Sequence, residues 1–172
     1  MEEFETKLAA CTDTGFQDKM CVKDKKIQPM NRYSDILAFQ HSRVKLLPRA
    51  SMPNFQQFED GYINANFVDG PLGVSDRKII ASQGPLAETF QDFWRMVSQE
   101  NVTLIVTTCN VVEKNRPKCH QFWPPNHPNQ ANHWEQGMQS VNIQVVPGEI
   151  RQLTPHLFVR KFTLTDGDLG IN

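Results

Sequence analysis

The stretch that decides the fold is residues 89–107, TFQDFWRMVSQENVTLIVT. In its first part apolar side chains recur at i, i+3, i+4 and i+7, which lines one face of an α-helix; they are Phe90, Phe93, Trp94 and Val97. This spacing predicts a helix over residues 90–99, with Thr89 placed to cap it and Asp92 three residues later. Residues 102–107 are continuous and largely β-branched, which predicts a buried central strand.

Shorter elements are predicted on both sides of this stretch. Strands are expected at 62–68, which ends at turn residues 69–71, and at 77–82. Residues 141–146 and 156–165 alternate apolar and polar side chains, as half-exposed antiparallel strands do. A short amphipathic helix is expected at 2–12, and irregular chain at 48–61 and 117–128. The mixture predicts one domain of the α/β (α+β) class.

Size and charge exclude several classes of protein. The chain has 172 residues, 39% of them hydrophobic and 22% charged, which is the composition of an ordinary globular domain. The net charge of −1 gives no reason to expect a nucleic acid or a membrane as partner. The acidic start lacks the apolar run of a secretory signal, and the apolar residues 104–106 are too few to cross a bilayer. We therefore expect a cytoplasmic protein.

The four cysteines form no CxxC pair, so we expect free thiols rather than disulfides or a zinc site. Phosphate-binding glycine loops of the GxGxxG or GxxxxGK[ST] type are absent from the sequence. A cysteine phosphatase needs a thiolate, a loop of five residues whose N–H groups hold the phosphoryl oxygens, and then an arginine. At that distance the four cysteines are followed by Gln17, Ile27, Asn115 and Pro125. None fits, and no metal or other cofactor is expected.

Five stretches resemble the protein-tyrosine phosphatase family, in the order of that family and near its spacing. They are Asn31–Ile36 with His41–Leu46, Tyr62–Asn66, Gln83–Leu86, Asp92–Val97, and Val112–Lys114 with Lys118–Cys119 and Phe122–Pro124. The resemblance implies the N-terminal part of the phosphatase fold, a mixed twisted sheet flanked by helices. Residues 1–172 are then a single partial domain, incomplete at its C-terminal end.

Two residues match substrate-binding positions of the family. Tyr33 matches the tyrosine whose ring packs on the phenyl ring of phosphotyrosine and sets the depth of the cleft. Asp35 matches the aspartate that accepts hydrogen bonds from the substrate backbone. The alternatives are a core tyrosine and a carboxylate that caps a loop.

Other matches are supporting positions. Glu113 matches the glutamate that orients the arginine of the phosphate loop, and Lys118 matches a lysine near the general-acid loop. Both could instead be surface charges. Framework roles are implied for Asn31, Arg32, Arg43, Asn64, Gln83 and Trp94.

The sequence departs from the family pattern in three places. Gln40 stands where an acidic residue is usual, and Asn66 stands where a small residue is common. The Trp-Pro-Asp loop and the Cys-five-Arg loop of the family are not found in these residues. The resemblance therefore implies a protein-tyrosine phosphatase, with this chain carrying substrate recognition and inactive alone.

Two other interpretations stay open. One is a non-catalytic phosphotyrosine-binding or regulatory module, and the other is a degenerate truncated product. The expected partners are phosphotyrosine-containing proteins or peptides. If residues 102–107 lose a neighbouring strand, they expose an apolar edge, so we expect poor solubility of the chain expressed alone.

Overall fold

The computed structural model describes residues 24–55, 61–68, 79–124 and 128–169. The chain divides into two compact units, Met1–Val44 with Asn64–Gln83 and Lys45–Ile63 with Gly84–Asn172. The predicted helix at 2–12 and turn at 69–71 lie outside the described residues, as do Cys11 and Cys21.

A three-stranded sheet follows a short 3-10 turn at Gln28–Met30. Its strands are β1 (Arg43–Lys45), β2 (Tyr62–Val68) and β3 (Ile79–Ser82), in the order β1-β2-β3. β2 and β3 are antiparallel, with Ala65 opposite Ser82. The prediction for 62–68 is confirmed, and the predicted strand at 77–82 begins at Ile79 within the described residues.

Helix α1 (Phe90–Gln99) confirms the prediction from the apolar spacing, because all four predicted core residues are buried. The hydrogen bond predicted for Thr89 as the helix cap is not formed. Thr89 makes no side-chain hydrogen bond to the helix N-terminus; its Oγ1 accepts a bond from the backbone N–H of Leu86 at 3.0 Å instead. Asp92 is paired with Arg95 one turn later, at 2.8 Å. The hydroxyl therefore closes the turn that enters the helix.

The predicted central strand at 102–107 is wrong. The structure assigns no strand to these residues, and Leu104 and Val106 are 75% and 74% exposed. A strand exists only where its backbone groups pair with a neighbour. Among the described residues, no strand pairs with 102–107, so the apolar side chains that signalled burial lie at the surface.

A tight hairpin follows this segment. β4 (Val112–Glu113) and β5 (Arg116–Pro117) are antiparallel, with Glu113 opposite Arg116. The two residues between them, Lys114 and Asn115, have φ values of 47° and 59°. Two consecutive residues in the left-handed region match the twist of the strands they join.

Helix α2 (Pro128–Ser140) was missed, because the proline- and asparagine-rich sequence around its start is typical of loops. Its signal lies near its C-terminal end, where Trp134, Met138 and Val141 recur at i, i+4 and i+7. Met138 and Val141 are buried, and a Cβ at Gly137 would lie 2.6 Å from the ring of Phe90. Glycine at this position thus allows α2 to approach α1 closely.

Strands β6 (Ile143–Thr154) and β7 (Leu157–Asp166) form a long antiparallel hairpin. The two predicted strands are confirmed: β6 begins at Ile143 and continues beyond the predicted end to Thr154, and β7 is shifted by one residue from the predicted 156–165. The base of the hairpin is partly buried, through Ile143 and Val145 on β6. Trp94 of α1 packs edge-on against Phe162 of β7, with ring centroids 5.9 Å apart. No helix in the described part of the chain is long and apolar enough to cross a membrane.

A buried ionic network fixes the end of β7. The guanidinium of Arg49 pairs with the carboxylates of Asp166 and Asp168, and all three side chains are almost inaccessible. The hydroxyl of Ser98 on α1 donates to Asp166. Ser51 donates to Asp168 through both its backbone N–H and its hydroxyl. The network therefore joins the chain after β1 to α1 and to the end of β7.

The network makes Arg49 a sensitive charged position of this unit. Arg49→Ala leaves two carboxylates buried without their cation, which costs about 3–5 kcal/mol of unfolding free energy. The matched control is Arg151→Ala, because the pair Arg151–Glu149 is 67% and 58% exposed; exposed pairs contribute about 0–1 kcal/mol. Urea unfolding of both variants measures the difference, and equal losses would contradict the assignment.

The same carboxylates predict how stability depends on pH. Burial opposes ionisation of Asp168, but hydrogen bonds from Asn142 and Ser51 and the charge of Arg49 outweigh it and lower its pKa to about 2. Burial likewise opposes ionisation of Asp166, and bonds from Ser98 and Arg49 outweigh it, so its pKa is also lowered. The unfolded value is about 3.9. The stability they contribute is therefore complete above about pH 4 and is lost as the pH falls towards about 2.

Measuring the unfolding free energy between about pH 5 and about pH 2 checks this prediction. Asp168→Asn should flatten the decline over that range, because it removes one of the two titrating groups. An unchanged slope in Asp168→Asn would count against the pKa shift.

Candidate functional site

The predicted recognition residues lie on one loop, residues 31–36, which follows the 3-10 turn in the first unit. Tyr33 is 44% exposed and Asp35 is exposed as well. The loop thus presents an aromatic ring and a carboxylate two residues apart. Ile36, at its end, is also exposed.

The side-chain amide of Asn64 holds both ends of this loop. Asn64 lies on β2 and is buried. Its Nδ2 donates to Oδ1 of Asn31 and to the carbonyl of Ile36, each at 2.8 Å. Asn31 in turn donates from its own Nδ2 to the carbonyl of Ile27 at 2.9 Å. One buried amide therefore fixes the residues that flank Tyr33 and Asp35.

A second amide, that of Gln83, fixes the start of the loop. Its Nε2 donates to the carbonyl of Met30 at 2.7 Å, and its Oε1 accepts from the backbone N–H of Arg32 at 2.9 Å. The backbone N–H of Gln83 donates to the carbonyl of Asn64 at 3.1 Å. The backbone on the N-terminal side of Tyr33 is thus held through both polar atoms of one side chain.

Sequence reasoning missed the part played by Asn66, which it treated as a departure from the family. The amide of Asn66 exchanges two hydrogen bonds with the backbone of Phe39, 3.0 and 3.2 Å long, and donates to the hydroxyl of Ser42. It therefore fixes the chain between the loop and β1. The period-two pattern of β2 could have found it, since Asn64 and Asn66 point to the same face of the strand.

The predicted framework residue Arg43 lies on β1 and is half-buried. Its Nε donates to Oε1 of Gln40 at 3.1 Å. The glutamine that replaces the usual acidic residue thus supplies the same acceptor atom without its charge.

Of the two predicted supporting residues of the second unit, Glu113 lies on β4 and Lys118 directly follows β5. Glu113 is opposite Arg116, and the backbone N–H of Lys118 donates to the carbonyl of Val111. Directly opposite residues of an antiparallel pair lie on the same face, so Glu113 and Arg116 share one face of the hairpin. The Glu113 Oε1 atom accepts from the backbone N–H of Asn110 at 3.0 Å. This bond closes the turn into β4.

Two further matched stretches meet in the second unit. A Cβ on Gly84 would lie 2.7 Å from the carbonyl oxygen of Lys118 and close to Cys119, so no other residue fits there without movement. The N–H of His120 donates to the carbonyl of Pro85 at 2.7 Å. The indole N–H of Trp94 donates to the carbonyl of Phe122. The framework role predicted for Trp94 thus has a hydrogen bond that can perform it.

The described cysteines are free thiols. Cys119 is buried, and its thiol donates to the carbonyl of His120. Cys109 is half-buried just before β4. Across the described ranges, no group of three or more His, Cys, Asp or Glu side chains could hold a metal ion.

The arrangement of loop 31–36 is suited to binding a ligand that has an aromatic ring and N–H groups. Loop 31–36 offers an exposed ring, on which another aromatic ring can pack, and a carboxylate that can accept hydrogen bonds from N–H groups. Its backbone is held before any ligand arrives, which lowers the entropic cost of binding.

Comparison with known proteins agrees with the resemblance in the sequence. Residues 27–170 match the family model described as protein-tyrosine phosphatase. The chain is 38% identical to human receptor-type tyrosine-protein phosphatase zeta over 170 residues, 95% of this chain. It is 47% identical to human tyrosine-protein phosphatase non-receptor type 12 over 94 residues, 55% of this chain.

Solved structures show the same similarity in three dimensions. The catalytic domain of human protein tyrosine phosphatase non-receptor type 18 matches with a TM-score of 0.72 and 26% identity over 95% of this chain. The chain spans 55% of that domain, 6% of the receptor-type relative and 11% of the non-receptor type 12 relative. The α/β fold class and the family resemblance are therefore confirmed.

The role of Asn64 can be tested on the loop itself. Asn64→Ala removes the donor to the carbonyl of Ile36 and to Oδ1 of Asn31, which costs about 1–3 kcal/mol. We expect amide hydrogen exchange at residues 32–36 to become faster. Exchange in α1 should not change, because α1 makes none of these bonds.

The matched control is Asn110→Ala, which removes the side-chain amide of an exposed asparagine. It should leave exchange in loop 31–36 unchanged. Equal exchange in Asn64→Ala and the unmutated protein would show that the amide does not hold the loop.

Proposed function

The chain belongs to the protein-tyrosine phosphatase family, and from this premise we propose that it carries the substrate-recognition part of a phosphatase acting on phosphotyrosine in proteins. Tyr33 is proposed to stack on the phenyl ring of the substrate. Asp35 is proposed to accept hydrogen bonds from the substrate backbone. The observation that supports both roles is loop 31–36, whose exposed residues lie between the hydrogen bonds of Asn64 and Gln83.

Solved relatives support a phosphotyrosine ligand. One of the similar structures is non-receptor type 18 in complex with phosphopeptides of HER2 carrying pY1196, at a TM-score of 0.73 and 26% identity. Binding of a peptide suits loop 31–36, because a peptide offers both a ring for Tyr33 and backbone N–H groups for Asp35.

The chemistry of the family needs groups that these 172 residues do not hold. The resemblance implies attack by a cysteine thiolate on phosphorus, protonation of the leaving tyrosine by an aspartic acid, and hydrolysis of the phosphocysteine by water. No cysteine of the sequence is followed by arginine at the required distance. Glu113 and Lys118 are proposed to support that machinery where it is present. The 172-residue chain alone is therefore proposed to be inactive.

A second candidate is a non-catalytic phosphotyrosine-binding module. The exposure of Tyr33 and Asp35 on a held loop favours it, because binding through these residues requires no thiolate. We also propose a cytoplasmic location, which is supported by the non-receptor relative and the free thiols at Cys109 and Cys119.

Titration with a phosphotyrosine peptide tests the recognition role. We expect Tyr33→Ala to weaken binding by about 3- to 10-fold, the loss of one aromatic pair. Tyr33→Phe keeps the ring and should bind like the unmutated protein. Asp35→Asn should weaken binding about tenfold, because it removes a charged acceptor.

The control for Asp35→Asn is Asp24→Asn, another exposed aspartate of the first unit. It should leave the affinity unchanged. Recognition through loop 31–36 would be refuted by affinities that do not depend on Tyr33 or Asp35, or by equal affinity for the unphosphorylated peptide.

A further inference from the structure

A serine occupies the middle of loop 31–36. Ser34 lies between the two proposed recognition residues and is exposed, as they are. The backbone on both sides of it is fixed, because the side-chain amides of Gln83 and Asn64 bind the start and the end of the loop. None of these bonds is made to Ser34, so a group added to its side chain need not break them.

The hydroxyl of Ser34 differs from those of the other described serines. The other five hydroxyls make hydrogen bonds that hold the fold, and they belong to Ser42, Ser51, Ser82, Ser98 and Ser140. Within the described ranges, the hydroxyl of Ser34 makes no such bond. It is therefore accessible and has no part in the packing of the first unit.

A charge at this position would act directly on the proposed ligand. A phosphoserine carries a charge of about −1.5 to −2 at pH 7. The Cα atoms of consecutive residues are about 3.8 Å apart, so this charge would lie next to the carboxylate of Asp35 and to a ring stacked on Tyr33. That distance is shorter than the Debye length of about 8–10 Å at ordinary salt. A phosphotyrosine is itself an anion, so it would be repelled.

We propose that Ser34 is a phosphorylation site for a protein kinase, and that phosphate on Ser34 switches off the binding of phosphotyrosine peptides at loop 31–36. This inference rests on the proposed function, because it concerns the regulation of the same site. It assigns to Ser34 a role that needs neither the ring of Tyr33 nor the carboxylate of Asp35 to change.

The modification is an ordinary phosphoryl transfer from a nucleoside triphosphate. The Oγ atom of Ser34 attacks the γ-phosphorus, and the bond from that phosphorus to the oxygen bridging to the β-phosphate breaks. The nucleoside diphosphate leaves, and the hydroxyl proton passes to a base of the kinase. Exposed loop tips are accessible to enzymes that act on a polypeptide chain.

The site is tested by incubating the 172-residue protein with a panel of serine-directed protein kinases and MgATP, and by locating phosphate with mass spectrometry. We expect phosphate on Ser34. The internal controls are Ser51 and Ser98, which should stay unmodified because their hydroxyls donate to carboxylates of the buried network.

The switch is tested by titrating a phosphotyrosine peptide into the protein produced with Ser34 phosphorylated. We expect the affinity to fall about tenfold, the result of repulsion between two nearby anions. The loss should shrink as the salt concentration rises, because salt screens exposed charges. Ser34→Glu should weaken binding less, since it adds one charge. Its matched control is Ser34→Gln, which has the same size without the charge and should bind like the unmutated protein.

Three results would overturn the inference. They are a panel that leaves Ser34 unmodified, a protein phosphorylated on Ser34 that binds the peptide as tightly as the unmodified one, and equal losses in Ser34→Gln and Ser34→Glu. The last would make size, and not charge, the cause. Failure of the proposed function gives a different result, because the peptide affinity of the unmodified protein would then be independent of Tyr33 while Ser34 still accepts phosphate.

Discussion

The structure of the first unit depends on one constraint: backbone N–H and C=O groups outside helices and strands still need hydrogen-bond partners. Loop 31–36 carries backbone polar groups that no ladder can pair, and leaving such groups unpaired and buried costs about 1–3 kcal/mol each. The side-chain amides of Asn64 and Gln83 supply partners for this loop, and that of Asn66 does the same for Phe39 beyond it. Because an amide both donates and accepts, one residue can hold two points of the chain. The exposed position of Tyr33 and Asp35 follows from this arrangement.

The same requirement explains the 102–107 segment in the second unit. Its side chains favour a strand, but its backbone has no strand partner among the described residues. Trp94 packs against Phe122 in the aromatic core, and the network of Arg49, Asp166 and Asp168 joins β7 to α1. Among the large apolar side chains of this unit, Leu104 and Val106 are the most exposed.

Local pattern predicted the elements whose partners are near in sequence. The apolar spacing of α1, the turn residues after β2 and the alternation of β6 and β7 were sufficient, since each is read from a few neighbouring residues. The strand prediction for residues 102–107 was wrong because burial of a strand depends on a neighbouring strand, which a local sequence pattern cannot reveal. Helix α2 was missed because its loop-like start outweighed the spacing of Trp134 and Met138. The cap prediction for Thr89 was wrong because its hydroxyl can bond to either of two nearby backbone groups, and the sequence does not decide between them. Tyr33 and Asp35 could be named only through family resemblance, since nothing in their spacing distinguishes a binding loop from any other loop.

The central proposal is that these 172 residues hold substrate recognition without the groups that perform the chemistry. Hydrolysis of a small aryl phosphate by the purified chain tests the claim most directly, because such a substrate needs the nucleophile but little peptide recognition. The account predicts no turnover above the buffer background. Saturable turnover that Cys109→Ser or Cys119→Ser abolishes would contradict it, because a thiol of this chain would then be acting as the nucleophile.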